Sequence, residues 1–295
     1  MIECVPNLSE GRDRSFLEDV AEAIRQEGCR VVDVHCDADH HRSVFTIVAD
    51  PKRIIAGILT MVEAVIPRID VRKHRGEHPR IGAVDVVPFV PISNSSLDEC
   101  VRLAKATGEE IGRRFDVPVY LYEAAASSED RRNLARIRQG GLSGVAKRIG
   151  TPTWRPDFGP AEVHPTAGAM AVRARRFLVA YNVNLASDDL GAARAIAFAL
   201  RASNGGPPGV KALGLRLGGR GIVQVSMNLT DVQGTTLSEV FERVSDEADR
   251  LGLRILESEI VGLVPRVVLG AATTESLRLT RDLDGVVLEH RLAEE

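Results

Sequence analysis

Aromatic residues are scarce in this chain of 295 residues, with one tryptophan and three tyrosines. That argues against the stacked aromatic platforms that hold single-stranded nucleic acids. A net charge of only -3 gives no overall attraction to polyanions or anionic membranes, although 27% charged residues allow local basic patches. No apolar run approaches the roughly 20 residues of a membrane span. The first residues, MIECVPNLSEGRD, show neither a basic leader nor an apolar stretch behind one. The four cysteines, Cys4, Cys29, Cys36 and Cys100, form no C-x-x-C pair, which fits reduced thiols better than a disulfide framework. A soluble cytoplasmic protein is expected, and 44% apolar residues are enough for real cores, in one large domain or two compact ones.

The first half opens with a short apolar run, Ile2 to Val5. A helical stretch follows from Phe16 to Gln26, with apolar Phe16, Leu17, Val20, Ala23 and Ile24 at helical spacing and Gly28 to end it. Arg30 to His35 and Ser43 to Val48 are β-branched runs of strand length. Pro51 stands at the first position of a second helix that reaches Ile66. Val84 to Val90 reads as a buried strand, Leu97 to Phe115 as a third helix and Val117 to Tyr122 as another strand.

The second half has a strand at Phe177 to Leu185, then a helix to Ala202 capped by Ser187 or Asp188. A hairpin of Val210 to Leu217 and Ile222 to Leu229 follows, then a helix from Ser238 to Leu251 and a strand at Leu253 to Leu256. Both halves read β-α-β-β-α-β. The fold class is therefore α/β of the α+β kind: two ferredoxin-like subdomains, residues 1–177 and 178–295, each with two helices on one face of a mostly antiparallel sheet. Gly140 to Gly168, rich in glycine and proline, reads as a functional loop with little regular structure.

Polar residues concentrate in two places. In KHRGEHPR, Lys73 to Arg80, the residues His74, Glu77 and His78 match H-x-x-E-H, a zinc-binding spacing when it lies on a helix. Gly76 costs about 1 kcal/mol in a helix interior, and Pro79 drives His78 toward an extended backbone. His78 therefore reads as a single imidazole suited to taking and returning a proton near neutral pH, or else as a histidine that only bonds the backbone. The second concentration, HCDADHHR from His35 to Arg42, has carboxylates and imidazoles that suit zinc, and reads equally as an acidic turn. A metal-dependent hydrolase using His74, His78 and the Asp37–His41 loop is the alternative that follows. Arg42, at the start of a strand, reads as a carboxylate clamp or equally as a surface arginine. Asn182 and Asn184 bracket an apolar strand and must satisfy their amides structurally or with a polar ligand. Arg131, Arg132, Arg136 and Arg138 read as solvated helix charges.

Several ordered motifs together carry a resemblance. ECVPNLSEGRD at Glu3 to Asp13, GEHPRIGAVDVVPFVP at Gly76 to Pro91, VPVYLYEAA at Val117 to Ala125, PDFGP, AYNVNL, QVSMNLTD and VGLVP at Val261 to Pro265 resemble the glutamate formiminotransferase family. That domain also forms the N-terminal part of formiminotransferase cyclodeaminase, and the chain resembles the stand-alone transferase. The resemblance implies transfer of a formimino group from N-formimino-L-glutamate to tetrahydrofolate, a co-substrate, in histidine breakdown. It implies no metal, no nucleic acid and no membrane partner. It also implies two subdomains whose sheets face each other with helices outside, folate between them, and commonly a homodimer.

Carried over by motif, the catalytic histidine is His78. The folate loop is Gly159, Pro160, Ala161, Glu162, Val163, His164, Pro165, Thr166, Ala167 and Gly168, and the substrate candidates are His35, Arg42, Arg80, Asn182 and Asn184. The chain departs from the family pattern at three places: His41 stands where asparagine is usual, His35 where some members have aspartate, and Arg173 where glycine is frequent. Arg173 lies just after the folate loop, where it would bind the folate glutamate tail or narrow the pocket. A folate-binding protein without turnover is the further alternative this raises.

Overall fold

The first turn of a helix leaves N–H groups unsatisfied, and a short acceptor side chain stands at the entry to each of the first three helices. Asp13 accepts the Phe16 N–H at 3.0 Å and opens α1 (Arg14–Gln26). Asp50 accepts from Lys52 and Arg53 at 3.0 and 3.1 Å, with Pro51 behind it, and opens α2 (Pro51–Val65). Ser96 accepts from Glu99 at 3.1 Å and opens α3 (Leu97–Phe115). Gly28, in the left-handed conformation at φ 75°, turns the chain away from α1, as its position in the sequence suggests.

The computed structural model describes residues 1–232 and 234–294. The chain divides into two units, Met1–Arg176 and Phe177–Glu295. In the first, β1 (Ile2–Cys4) and β2 (Asn7–Leu8) are one strand interrupted at Val5 and Pro6, where proline has no N–H for the ladder. The Pro6 carbonyl still accepts from Phe45 at 3.0 Å, so the pairing resumes. Around it lie β3 (Arg30–Asp37), β4 (Arg42–Ala49), β5 (Val84–Pro91), β6 (Val119–Glu123) and β7 (Met170–Ala174).

The sheet order is β3-β4-(β1, β2)-β5-β7-β6. The four positions from β3 to β5 are antiparallel and have the ferredoxin-like order; β7 joins β5 in parallel and β6 joins β7 in parallel. The first unit thus carries a parallel extension beyond the β-α-β-β-α-β core. Its third helix, α3, packs against β5, β6 and β7. The strand β7 has small residues and an arginine, MAVRA, which is why its run does not stand out in the sequence.

One face of this sheet and α1, α2 and α3 enclose a core that includes Ile2, Phe45, Ile58, Val87, Phe89 and Ile111. The segment after β6 contains α4 (Leu134–Ile137) and α5 (Gly141–Arg148), and α5 falls inside Gly140 to Gly168, where little regular structure is expected. These short helices cover the other face where Val86, Tyr120, Tyr122 and Ala171 point outward, giving a second cluster with Ile137, Val145 and Ile149. A buried ion pair staples the segment: Arg131 meets Asp157 at 2.8 Å, donates to the Thr153 and Arg155 carbonyls, and stands 5.6 Å from the Tyr120 ring. Arg131 is therefore internal, unlike the solvated charge expected of it.

The second unit contains β8 (Val179–Leu185), α6 (Leu190–Leu200), β9 (Val210–Leu217), β10 (Ile222–Leu229), α7 (Leu237–Arg250), β11 (Ile255–Val261) and α8 (Leu288–Ala293). Its antiparallel order β11-β8-β10-β9 repeats β5-β1-β4-β3 of the first unit. The cap of α6 is Asp189, which accepts from Gly191 and Ala192 at 2.7 and 3.2 Å, rather than Ser187 or Asp188. Among the described residues no helix is long and apolar enough to cross a membrane.

Gly168 lets the chain enter β7. It has φ 76°, and a Cβ there would stand 2.2 Å from the Ile81 carbonyl oxygen. Gly168→Ala should therefore lower stability by at least about 1 kcal/mol, read as a lower denaturation midpoint with an unchanged slope. A neutral substitution would contradict this role.

Candidate functional site

Between α2 and β5 the residues Lys73 to Arg80 form neither helix nor strand. His74, Glu77 and His78 consequently do not share a helical face, as Gly76 and Pro79 lead one to expect. The loop is instead held by Arg80, whose Nη2 donates to the His40 carbonyl at 2.5 Å, Nη1 to the His41 carbonyl at 2.9 Å and Nε to the His78 carbonyl at 3.1 Å. Nη1 also lies 2.7 Å from His74 Nε2. A side chain at Gly76 would stand 2.2 Å from the His40 carbonyl oxygen, so glycine is what permits this approach. Arg80, a candidate substrate clamp, spends most of its donors joining the His78 loop to the Asp37–His41 turn.

A second tie runs from the chain's start. Glu10 accepts the N–H groups of Gly11, Arg12 and Asp13 at 2.9, 2.7 and 3.0 Å, and its carboxylate lies 3.2 Å from His41 Nε2. Burial works to raise its pKa, but the backbone donors of Asp13, Arg12 and Gly11 with His41 bring it below the usual carboxylate value. His41, at φ 46°, stacks on His74 with ring centroids 4.1 Å apart. Burial and then the Arg80 charge push His74 down to about 4, so it stays neutral at pH 7. The His74 Nε2 also lies 2.8 Å from the His41 carbonyl oxygen, so this nitrogen is occupied by the Arg80 guanidinium and by that carbonyl.

His78 is half-buried and its ring stands edge-on to His40, with centroids 5.9 Å apart. Its Nδ1 lies 3.0 Å from the Pro79 carbonyl oxygen. A carbonyl only accepts, so Nδ1 carries the hydrogen and Nε2 keeps the lone pair. Burial, then the charges of Arg42 and Arg138, then His40, hold its pKa well below the usual histidine value. Because the ring stays partly open, the cationic neighbours are the firmer part of that cause.

Arg42, the first residue of β4, is pushed down to about 9 by burial and by Arg138, and so remains charged at pH 7. Its Nε is buried with no hydrogen-bond partner among the described residues. His35 lies opposite Val44, and Arg42 opposite Asp37, so His35 and Arg42 occupy one face of neighbouring strands. Arg138, just past α4, pairs with Asp85, whose other oxygen accepts the Ile81 N–H at 2.7 Å. A cleft of about 300 Å³ opens here, lined by His74, Glu77, His78, Arg80, Arg138 and Leu142.

The segment Gly159 to Gly168 is tied to the residues that flank this loop on either side. Val71 donates to the Thr166 carbonyl and Ala83 to the Ala167 carbonyl, both at 2.9 Å. Gly159 has φ 78°, and a Cβ would stand 2.5 Å from the Val117 carbonyl oxygen. His164 turns inward: its Nδ1 accepts from Ala167 and Thr166 at 3.0 and 3.3 Å, and its backbone pairs with Gly168.

The first unit thus brings together His78, Arg42, Arg80, His35 and the Gly159–Gly168 segment. Asn182 and Asn184 belong to the second unit, where they donate to Glu259 and Glu257 at 2.8 and 3.0 Å. Sequence reasoning missed Arg138, which it left in solvent, and Glu10. The signal for Arg138 was Asp85, a carboxylate inside the apolar run AVDVVPF that needs a buried cation.

The N-terminal subdomain model of the formiminotransferase domain matches residues 1–175, and the model of the formiminotransferase domain matches residues 180–281. Glutamate formimidoyltransferase of Streptococcus pyogenes is 42% identical over 270 residues, covering 91% of this chain and 90% of the relative. The protein of the same name from Thermoplasma acidophilum is 41% identical over 295 residues, covering 99% and 97%. Formimidoyltransferase-cyclodeaminase of Rattus norvegicus is 41% identical over 280 residues, which is 92% of this chain but 52% of the relative. By these matches to both parts of the domain, the chain belongs to the formiminotransferase family.

Proposed function

We propose that this protein is a glutamate formimidoyltransferase that moves the formimino group of N-formimino-L-glutamate to N5 of tetrahydrofolate, releasing glutamate, in histidine degradation. The observation that carries the reading is a neutral imidazole, His78, with Nε2 free to accept, beside Arg42 and Arg138 in a protein of this family. Both substrates bear carboxylates, and a charged Arg42 with an unpartnered Nε suits one of them.

N5 attacks the formimino carbon and a tetrahedral intermediate forms. The attacking nitrogen must lose a proton and the departing glutamate nitrogen must gain one, so His78 acts first as base and then as acid. Holding two substrates together contributes several kcal/mol by itself. The Gly159–Gly168 segment, hydrogen-bonded to the residues that flank the His78 loop, is the folate loop in this reading. His35 and Arg80 are the further substrate contacts of the first unit in this reading. The cytosol and a homodimer belong to the same proposal, the former supported by four free cysteines.

Replacing His78 with alanine should lower transfer by about 10²–10⁴-fold while tetrahydrofolate binding, read by fluorescence, stays within a few-fold. Unchanged turnover would refute the assignment. The pH profile has a defined sign. A base works above its pKa, and that of His78 is lowered, so the acid limb of kcat/KM should lie below pH 6.5. A limb at or above 6.5 would contradict the cationic setting. Stability has the same direction: His74, pushed down to about 4 from 6.5, binds its proton more readily in the unfolded chain, so stability falls as pH drops through that window. Rates there are to be referred to the folded fraction.

A further inference from the structure

A second group of charges in the first unit lies at the C-terminal ends of the parallel strands β5, β7 and β6, the end where sheets of this kind place ligands. Arg173 of β7 sits between Pro88 of β5 and Tyr122 of β6 in register. The pairings Val44 with Asn7, Asn7 with Val86, Val86 with Ala171 and Ala171 with Tyr120 run across one face. Arg173 and Tyr122, two residues further along their strands, share that face, and Arg42, two residues before Val44, lies toward its other end.

Arg173 is fixed on two sides. Its Nη1 meets the Glu123 carboxylate at 2.6 Å, and its guanidinium carbon lies 5.0 Å from the centre of the Tyr122 ring. Glu123 holds its side of this pair at φ 53°, a left-handed conformation that non-glycine residues seldom adopt. The pair is well shielded, with side chains 11% and 24% exposed.

One donor of the Arg173 guanidinium is unused. Its Nε is buried with no hydrogen-bond partner among the described residues, and the same holds for the Tyr122 hydroxyl and the Arg175 Nε. Tyr122 is 0% exposed. Buried donors left unmade are costly in a folded protein and need a reason. All three are donors; Arg173 and Arg175 stand beside Glu123 and Glu3, and the ion pair of Arg138 with Asp85 and the charge of Arg42 belong to the His78 site. A ligand that satisfies them must bring acceptor oxygens. A carboxylate supplies such acceptors to guanidinium groups in the bidentate manner they favour.

We propose that Arg173, oriented by Glu123 and by the Tyr122 ring, is a specificity residue that binds a glutamate-type carboxylate of a substrate. The inference rests on the transfer reaction proposed above, because the donor and the folate tail both carry this group. Arg173 takes no part in the proton transfers and acts through binding.

The test uses the full chain with Arg173→Gln, Arg173→Lys and Glu123→Gln. KM is measured for formiminoglutamate, and for tetrahydrofolate carrying one and three glutamates. Arg173→Gln should raise KM for one substrate about ten-fold or more, with the change in kcat much smaller, and Arg173→Lys should recover part of the loss. Glu123→Gln should have a smaller effect in the same direction. A rise confined to formiminoglutamate assigns the donor carboxylate, and a rise that grows from one glutamate to three assigns the folate tail. Unchanged KM values with a lowered melting temperature would overturn the proposal and leave an ion pair that serves folding. If the wild-type protein catalyses no transfer, calorimetric binding of glutamate and of tetrahydrofolate triglutamate still decides: equal affinity in wild type and Arg173→Gln overturns it.

Discussion

The site depends on one guanidinium. Arg80 gathers the carbonyls of His40, His41 and His78 and the His74 ring around itself, and so fastens a loop with no secondary structure of its own to the turn between β3 and β4. Charge-assisted bonds of this kind are stronger than neutral ones and are directional, so a loop can be held nearly as firmly as a helix. Burial lowers the Arg80 pKa only to about 10, which leaves it charged. Gly76 supplies the space and Glu10 braces the far side through His41. His78 is positioned by this arrangement rather than by a regular element.

The same cations set its chemistry. Burial, and then Arg42 and Arg138, disfavour a positive charge on the ring, so the imidazole waits as a base. The two arginines also make the cleft attractive to substrates that carry carboxylates. A bound carboxylate would offset part of their field and lift the imidazole toward neutral pH, which suits a group that takes one proton and returns it. Asp85 keeps Arg138 in place from inside the sheet, and its other oxygen holds Ile81 at the loop's exit.

Much of this was legible in the sequence because local rules and tertiary demands agreed. Gly76 and Pro79 excluded a helix for the histidine loop, and the hairpin of β9 and β10 has the limits its alternation and GGRG turn imply. The strand β7 was hidden because its residues are small and carry Arg173, and its place depends on pairing with β5 and β6, far off in the chain. Arg131 and Arg138 looked like surface charges because their partners, Asp157 and Asp85, lie 26 and 53 residues away. Glu10 escaped notice because its role is to accept backbone N–H groups, which any acidic residue before a helix can do. Long-range electrostatics, not propensity, was the unreadable part.

The central claim is that His78 is held neutral, with its hydrogen on Nδ1, by a positively charged setting. Nitrogen-15 NMR of the imidazole across a pH titration tests it most directly, because it reports both the protonation midpoint and the tautomer of that one ring. The account predicts a midpoint well below 6.5 and the Nδ1–H form above it. A midpoint at or above 6.5, or a neutral ring protonated on Nε2, would contradict it.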